Sequence, residues 1–210
     1  MPLLTWCIAD CKKLAPIWEQ LATDFANDDS VIIAKIDAEA ANSKATAIAY
    51  DVKGYPTLKW FPAGSEKPES YEGGRTEEAL VKFINEKAGT HRLPGGELDA
   101  TAGTVDVLSD IVAKYTSYDK LAEVAEATRK SVESLKGDAQ YKYAEYYVRV
   151  FDKLNSSDNY VAKELARLDG ILAKGGLAPS KRDELKSKFN ILRQIADAVG
   201  EKFKSAHDEL

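Results

Sequence analysis

The chain has 210 residues, enough for one large domain or two of about 100 residues. Its charged residues make up 30% with a net charge of -5 and few clustered basic runs, which argues against a nucleic-acid face. That charge balance is the one expected of a soluble, mildly acidic protein, and no window approaches the roughly 18 to 20 apolar residues of a membrane span.

The first stretch, TWCIADCKK over Thr5 to Lys13, holds the only two cysteines, Cys7 and Cys11, with three residues between them. Trp6 precedes the first, and a helical stretch containing Pro16 follows the second. Two cysteines near the start of a helix are the parts of a dithiol oxidoreductase site. Exposed N–H groups and the helix dipole there favour a thiolate on the outer cysteine, and the second cysteine resolves the mixed disulfide. Met1 to Asp10 lacks the positive start and long apolar core of a signal peptide, which read alone says cytosolic.

VIIAKID, from Val31, reads as a short buried β-strand, and Ala41 to Tyr50 as a helix. Gly54 to Phe61 reads as a second strand entered through Tyr55 and Pro56, and Ser70 to Glu72 as a third. Thr76 is the expected N-cap of a helix over TEEALVKFINEKAG, with Glu77 and Glu78 in its first turn. The order strand, helix, strand, strand, helix is that of an α/β domain.

Gly89 to Thr104 is glycine-rich with no apolar period and reads as a linker. Beyond Val105, apolar residues recur at helical spacing: Leu121, Val124, Val132, Leu135; Tyr160, Leu165, Leu168, Leu172; and Leu185, Phe189, Leu192, Ile195, Val199. Breaks near Ser117, Gly137, Ser156 and Gly175-Gly176 divide this half into about five helices. AQYKYAEYYVRVF reads as a core helix with tyrosines at its rim. Asn155-Ser156-Ser157 is a glycosylation sequon in an interhelical turn, usable in the secretory pathway. The end, His207, Asp208, Glu209 and Leu210, matches the HDEL address that returns proteins to the endoplasmic reticulum. The internal Arg182-Asp183-Glu184-Leu185 lacks the terminal position such a signal needs. A retrieval signal without an entry signal suggests that the sequence begins late. Two cysteines with histidines only at positions 91 and 207 lack zinc spacing, and no metal or other cofactor is expected.

CKKLAP at Cys11 to Pro16, AKID at Ala34 to Asp37, YDVKGYPTLKWFPAG at Tyr50 to Gly64 and GGRTEEALVKFINEKAGTHR resemble a catalytic thioredoxin domain of the protein disulfide isomerase family. The half after Val105 is similar to the Windbeutel-type helical D domain that follows tandem thioredoxin domains in some members ending in HDEL. The resemblance implies a thioredoxin-like α/β fold, incomplete at its N-terminus, followed by an all-α bundle of about five helices. The expected divisions are a truncated thioredoxin-like domain over 1–90, a linker over 91–104, a D-type domain over 105–203 and a tail over 204–210.

The resemblance also implies roles. Cys11 matches the inner, resolving cysteine, and Pro56, with Tyr55 before it, the cis-proline that meets substrate backbone. Lys35 matches a lysine that pairs with a buried glutamate, and Arg75 an arginine that approaches the resolving thiol. Upstream of Cys11 the match fails. The family has Trp-Cys-Gly-His-Cys after an apolar central strand, a further strand and a helix, and Met1 to Leu4 cannot supply these. In one reading Cys7 is the nucleophile of a variant motif: residues four apart on a helix lie about 6 Å apart, within disulfide range. Asp10 in place of the family histidine then disfavours a thiolate by repulsion and makes a weaker oxidant. In the other, Met1 to Asp10 is not family sequence, which also accounts for the missing signal peptide.

The function implied is a disulfide isomerase of the endoplasmic reticulum lumen. Its expected partners are unfolded secretory proteins, the HDEL receptor and further thioredoxin domains upstream in the natural product. A redox-inactive chaperone or client-docking module is the alternative. A third expectation is that the first half does not fold alone.

Overall fold

The computed structural model describes residues 3–114, 120–157 and 159–207, with side chains from residue 10 to residue 198. The chain divides into two compact units, Met1–Asp99 and Ala100–Leu210.

In the first unit, Leu14, Ile17, Trp18 and Leu21 recur at helical spacing and set the inner stripe of α1, Leu3–Asp24. Pro16 lies inside this helix, where it removes one backbone donor. The short α2, Lys44–Ala49, buries no residue, and Asp51 turns the chain after it with a positive φ of 50°. β1, Lys59–Trp60, pairs antiparallel with β2, Glu69–Ser70, in the register Lys59↔Ser70 and Trp60↔Glu69. Thr76 caps α3, Glu77–Ala88, by accepting from the N–H of Ala79, and Gly89 ends it in the left-handed region at φ 66°. Leu80, Val81 and Ile84 of α3 meet Leu14, Leu21, Phe25, Val31 and Leu58 in the core.

VIIAKID forms no strand, contrary to the sequence expectation. Val31 is buried, but Ile32 is 88% and Ile36 61% exposed. A strand requires a neighbour for its ladder, whatever its β-branched content, and no described residue pairs with this segment. In place of the expected strands at Gly54 to Phe61 and Ser70 to Glu72 stand the two-residue β1 and β2, which among the described residues pair only with each other.

The segment expected to be a linker is folded at its start. Buried Arg92 donates from Nε to Asp28 Oδ2 at 2.6 Å and from Nη1 to the carbonyl of Gly96 at 2.8 Å. Asn85 brackets its backbone on both sides, at 2.7 and 3.0 Å. Gly96, at φ 80°, brings the chain so close that a Cβ there would sit 3.0 Å from Cα of Asp24.

The second unit is all helical: α4 Asp106–Ala113, α5 Leu121–Ser134, α6 Tyr141–Leu154, α7 Tyr160–Lys174 and α8 Pro179–His207. α7 packs on α8, α5 on α6, and α4 on both α5 and α8. The turns fall at Gly137, at Ser156 and at Gly175-Gly176; the break expected at Ser117 lies outside the described residues. Proline opens α8 at its first position, where its missing N–H costs nothing. Tyr147 and Phe151 of α6 are fully buried at the centre of the core, and Tyr146 nearly so. The phenol of Tyr147 donates to Gln194 Oε1 at 2.6 Å, and burial raises its pKa to about 12. Gly103 is held tightly against α8: a Cβ there would lie 2.5 Å from Cβ of Ser187. No described helix is long and apolar enough to cross a membrane.

Candidate functional site

The two cysteines lie on α1, one turn apart, because the helix runs from Leu3 through both. The helical backbone at Cys7 is described and its side chain is not; Cys11 is half-buried. This differs from the expected placement at a helix N-terminus. With the helix starting at Leu3, Cys11 stands more than two turns in, and the exposed N–H groups that favour a thiolate belong to the first turn. Asp10, beside Cys11, has Lys13 Nζ 4.0 Å from its carboxylate, a loose and exposed pair.

Tyr55 and Pro56 are joined by a cis peptide bond in the loop before β1. Arg75 donates from Nη2 to the carbonyl of Pro56 at 3.2 Å, so the structure brings these two candidate residues together. Thr57 closes the same loop, its hydroxyl donating to the carbonyl of Gly54 at 2.6 Å. Tyr55 is 37% exposed next to this tethered loop. Tyr50 and Phe61 support it with an edge-to-face contact, centroids 5.2 Å apart.

Lys35, whose implied glutamate partner falls in the upstream part of the family pattern that this sequence does not match, pairs with an exposed carboxylate. Its Nζ lies 3.3 Å from Glu19 Oε1, and both side chains are at least 70% exposed. A pair so open to water contributes little, about 1 kcal/mol at most, and offers no buried proton relay. Its partner comes from α1, 16 residues earlier, a distance that no helical or strand period marks.

Sequence reading missed an apolar cavity of about 200 Å³ in this unit. Trp18 and Leu21 of α1, Phe83 and Ile84 of α3, Ile33 of the segment without strand pairing, and Leu58 beside β1 line it. Each residue is legible as apolar, but no local pattern says that the segment at Ile33 and β1 stand apart. Residues Asp208, Glu209 and Leu210 of the terminal signal lie outside the described residues, and His207 is the last residue of α8.

Comparison with known proteins covers both units. The thioredoxin family model matches residues 3–86, and that of the endoplasmic reticulum protein ERp29 C-terminal domain matches residues 103–195. The chain is 57% identical over 199 residues to protein disulfide-isomerase erp38 of Neurospora crassa, covering 95% of this chain and 54% of that protein. It is 52% identical over 205 residues to protein disulfide-isomerase tigA of Aspergillus niger, covering 98% and 54%. With the probable protein disulfide-isomerase A6 of Medicago sativa the identity is 40% over 194 residues, covering 91% and 52%. The chain thus spans about half the length of the curated relatives it matches.

Proposed function

Because this chain belongs to the protein disulfide-isomerase family, we propose that it is a thiol–disulfide oxidoreductase that assists the folding of secretory proteins, with Cys7 and Cys11 as its dithiol. The observation that carries this reading is Cys11, half-buried on α1 within the thioredoxin-matched region, in one compact unit with the Pro56 loop that Arg75 tethers.

The exchange runs in two displacements. The Cys7 thiolate attacks one sulfur of a client disulfide, forming a mixed disulfide and releasing the other client sulfur as a thiolate. Cys11, on losing its proton, then attacks Cys7 Sγ, forms the intramolecular disulfide and releases the second client thiolate. The client gains two electrons and the dithiol loses them; the reverse direction oxidises a client, and release after the first step rearranges it. Pro56 and exposed Tyr55 present the surface on which a client backbone rests, and Arg75 holds that loop in place.

Residues 207–210, read as a retrieval address, and the name of the matched ERp29 domain support action in the endoplasmic reticulum lumen, with the retrieval receptor as a partner. We place the dithiol unit over 1–90 and the D-type unit over 105–203.

Reduction of insulin by the purified chain tests the redox reading. Turnover should vanish in Cys7→Ser, while Cys11→Ser should accumulate the mixed disulfide; unchanged turnover in Cys7→Ser would overturn it. A second reading, a redox-inactive client-docking module, draws on the apolar cavity and the exposed Ile32, Ile36, Ile48 and Phe61 of the same unit. Suppression of client aggregation that survives loss of both cysteines would favour it.

A further inference from the structure

The turn between α6 and α7 carries a feature that thiol chemistry does not use. Asn155-Ser156-Ser157 has a hydroxyl residue two positions after the asparagine and no proline between, and no other asparagine of the chain has that pattern. Asn155 is the C-cap of α6, at φ -62° and ψ -19°. The core ends one residue earlier, at Leu154, which is 2% exposed, whereas residues 155–157 are all exposed.

The turn is held by its backbone, and no described residue engages the amide of Asn155. The N–H groups of Asn155, Ser156 and Ser157 donate to the carbonyls of Phe151, Lys153 and Leu154. Ser156 Oγ bonds the carbonyl of Asp152, and Ser157 Oγ donates to Asn159 Oδ1 at 3.1 Å. Among the described residues, the side chain of Asn155 makes no hydrogen bond. Two other asparagines serve the fold: Asn85 brackets Arg92, and buried Asn190 donates to the carbonyl of Ala102. A large substituent on Asn155 would disturb neither core packing nor a side-chain bond.

We infer that Asn155 is an N-glycosylation site and that its glycosyl donor is an oligosaccharide carried on a lipid pyrophosphate. Asn155 Nδ2 forms a bond to the anomeric carbon of the first sugar as the bond from that carbon to the pyrophosphate oxygen breaks. The electron pair leaves with the lipid pyrophosphate, and the amide gives up one proton to a base of the transferring enzyme. Nothing is oxidised or reduced. The inference rests on the reading above that the chain enters the secretory pathway.

The test uses the full chain behind a cleavable secretory signal, expressed in a eukaryotic cell. Protease protection in sealed microsomes identifies chains that have entered the lumen. The protected chain should migrate above 23.0 kDa by one glycan and return to that mass on treatment with an endoglycosidase specific for N-linked glycans. Asn155→Gln and Ser157→Ala should abolish the shift, and Ser157→Thr should retain it. A protected chain without a glycan, or a glycan that persists in Asn155→Gln, would overturn the proposal. The natural protein, assayed the same way in its own cells, separates the two readings. Protected but unglycosylated protein overturns glycosylation alone. Protein digested outside the lumen, with the forced-entry chain glycosylated, overturns the secretory reading and the natural occupancy that depends on it.

Discussion

In the second unit each helix from α4 to α8 contributes buried side chains to one cluster, with Tyr147, Phe151, Leu168 and Ile191 at its centre. The first unit gathers fewer around Leu21, Phe25 and Leu80, and its sheet is the two-residue pair of β1 and β2. Among the described residues, nineteen buried apolar residues form the helical core and eight the other, a difference that favours the helical unit in stability. The contrast has a backbone origin as well. A helix satisfies its own hydrogen bonds within one segment, whereas an extended segment such as 31–37 depends on a neighbour. The first unit therefore relies more on single polar clasps, such as that of buried Arg92 with Asp28.

The largest expected effect is at the centre of the helical core. Phe151→Ala should destabilise that unit by about 3–5 kcal/mol, read from the denaturation midpoint by far-UV circular dichroism. A loss below about 1 kcal/mol would mean that the cluster is not the cooperative core described. Next comes the clasp. Arg92→Ala leaves Asp28 without its guanidinium and should cost the first unit about 3 kcal/mol. Amide exchange should then quicken in α1 and α3 and stay unchanged in α5 and α6; uniform quickening would erase the distinction between the units.

Tyr147→Phe removes the phenol's hydrogen bond to Gln194 and keeps the ring, so the helical unit should lose about 1 kcal/mol. The smallest effect is a matter of pH. Lys181 and Lys188 hydrogen-bond the Glu184 carboxylate and lower its pKa to about 2. A carboxyl depressed in the folded state stabilises above its unfolded pKa of about 4.3, and that contribution is lost as pH falls toward 2. Because the side chain is 42% exposed, water screens the pair and the contribution stays below about 1 kcal/mol. Glu184→Gln should lower the urea midpoint of the helical unit at pH 7 and leave it nearly unchanged at pH 2. An equal loss at both pH values would point to packing instead.

Helix α3 is the most legible part of the first unit, since Thr76, two glutamates and Gly89 announce its ends and Leu80, Val81 and Ile84 its inner face. The candidate site is legible in its residue types: Cys11, Pro56 and Arg75 stand out in the sequence. Their arrangement is not. The structure ties Arg75 to the Pro56 carbonyl across 19 residues, a contact no local pattern announces. Arg92 read as part of a linker, yet its partner Asp28 lies 64 residues away, beyond any local pattern. Lys35 stands out by resemblance alone, and its ion pair with exposed Glu19, 16 residues earlier, has no local signal.

What the amino-acid order alone determined is whatever local chemistry decides. It set the helical period and glycine breaks of the second unit, the cap of α3, the spacing of Cys7 and Cys11 and the sequon at Asn155. Each follows from residues within a few positions of one another, where propensity and backbone conformation act directly. Only the tertiary structure decided that VIIAKID, with strand composition, has no ladder, that Cys11 stands more than two turns inside its helix, and that an apolar cavity opens between Ile33 and Leu58. Strand pairing and cavity formation depend on which segments meet across the chain, and a β-branched run has the same local preferences with or without a neighbour to receive its hydrogen bonds.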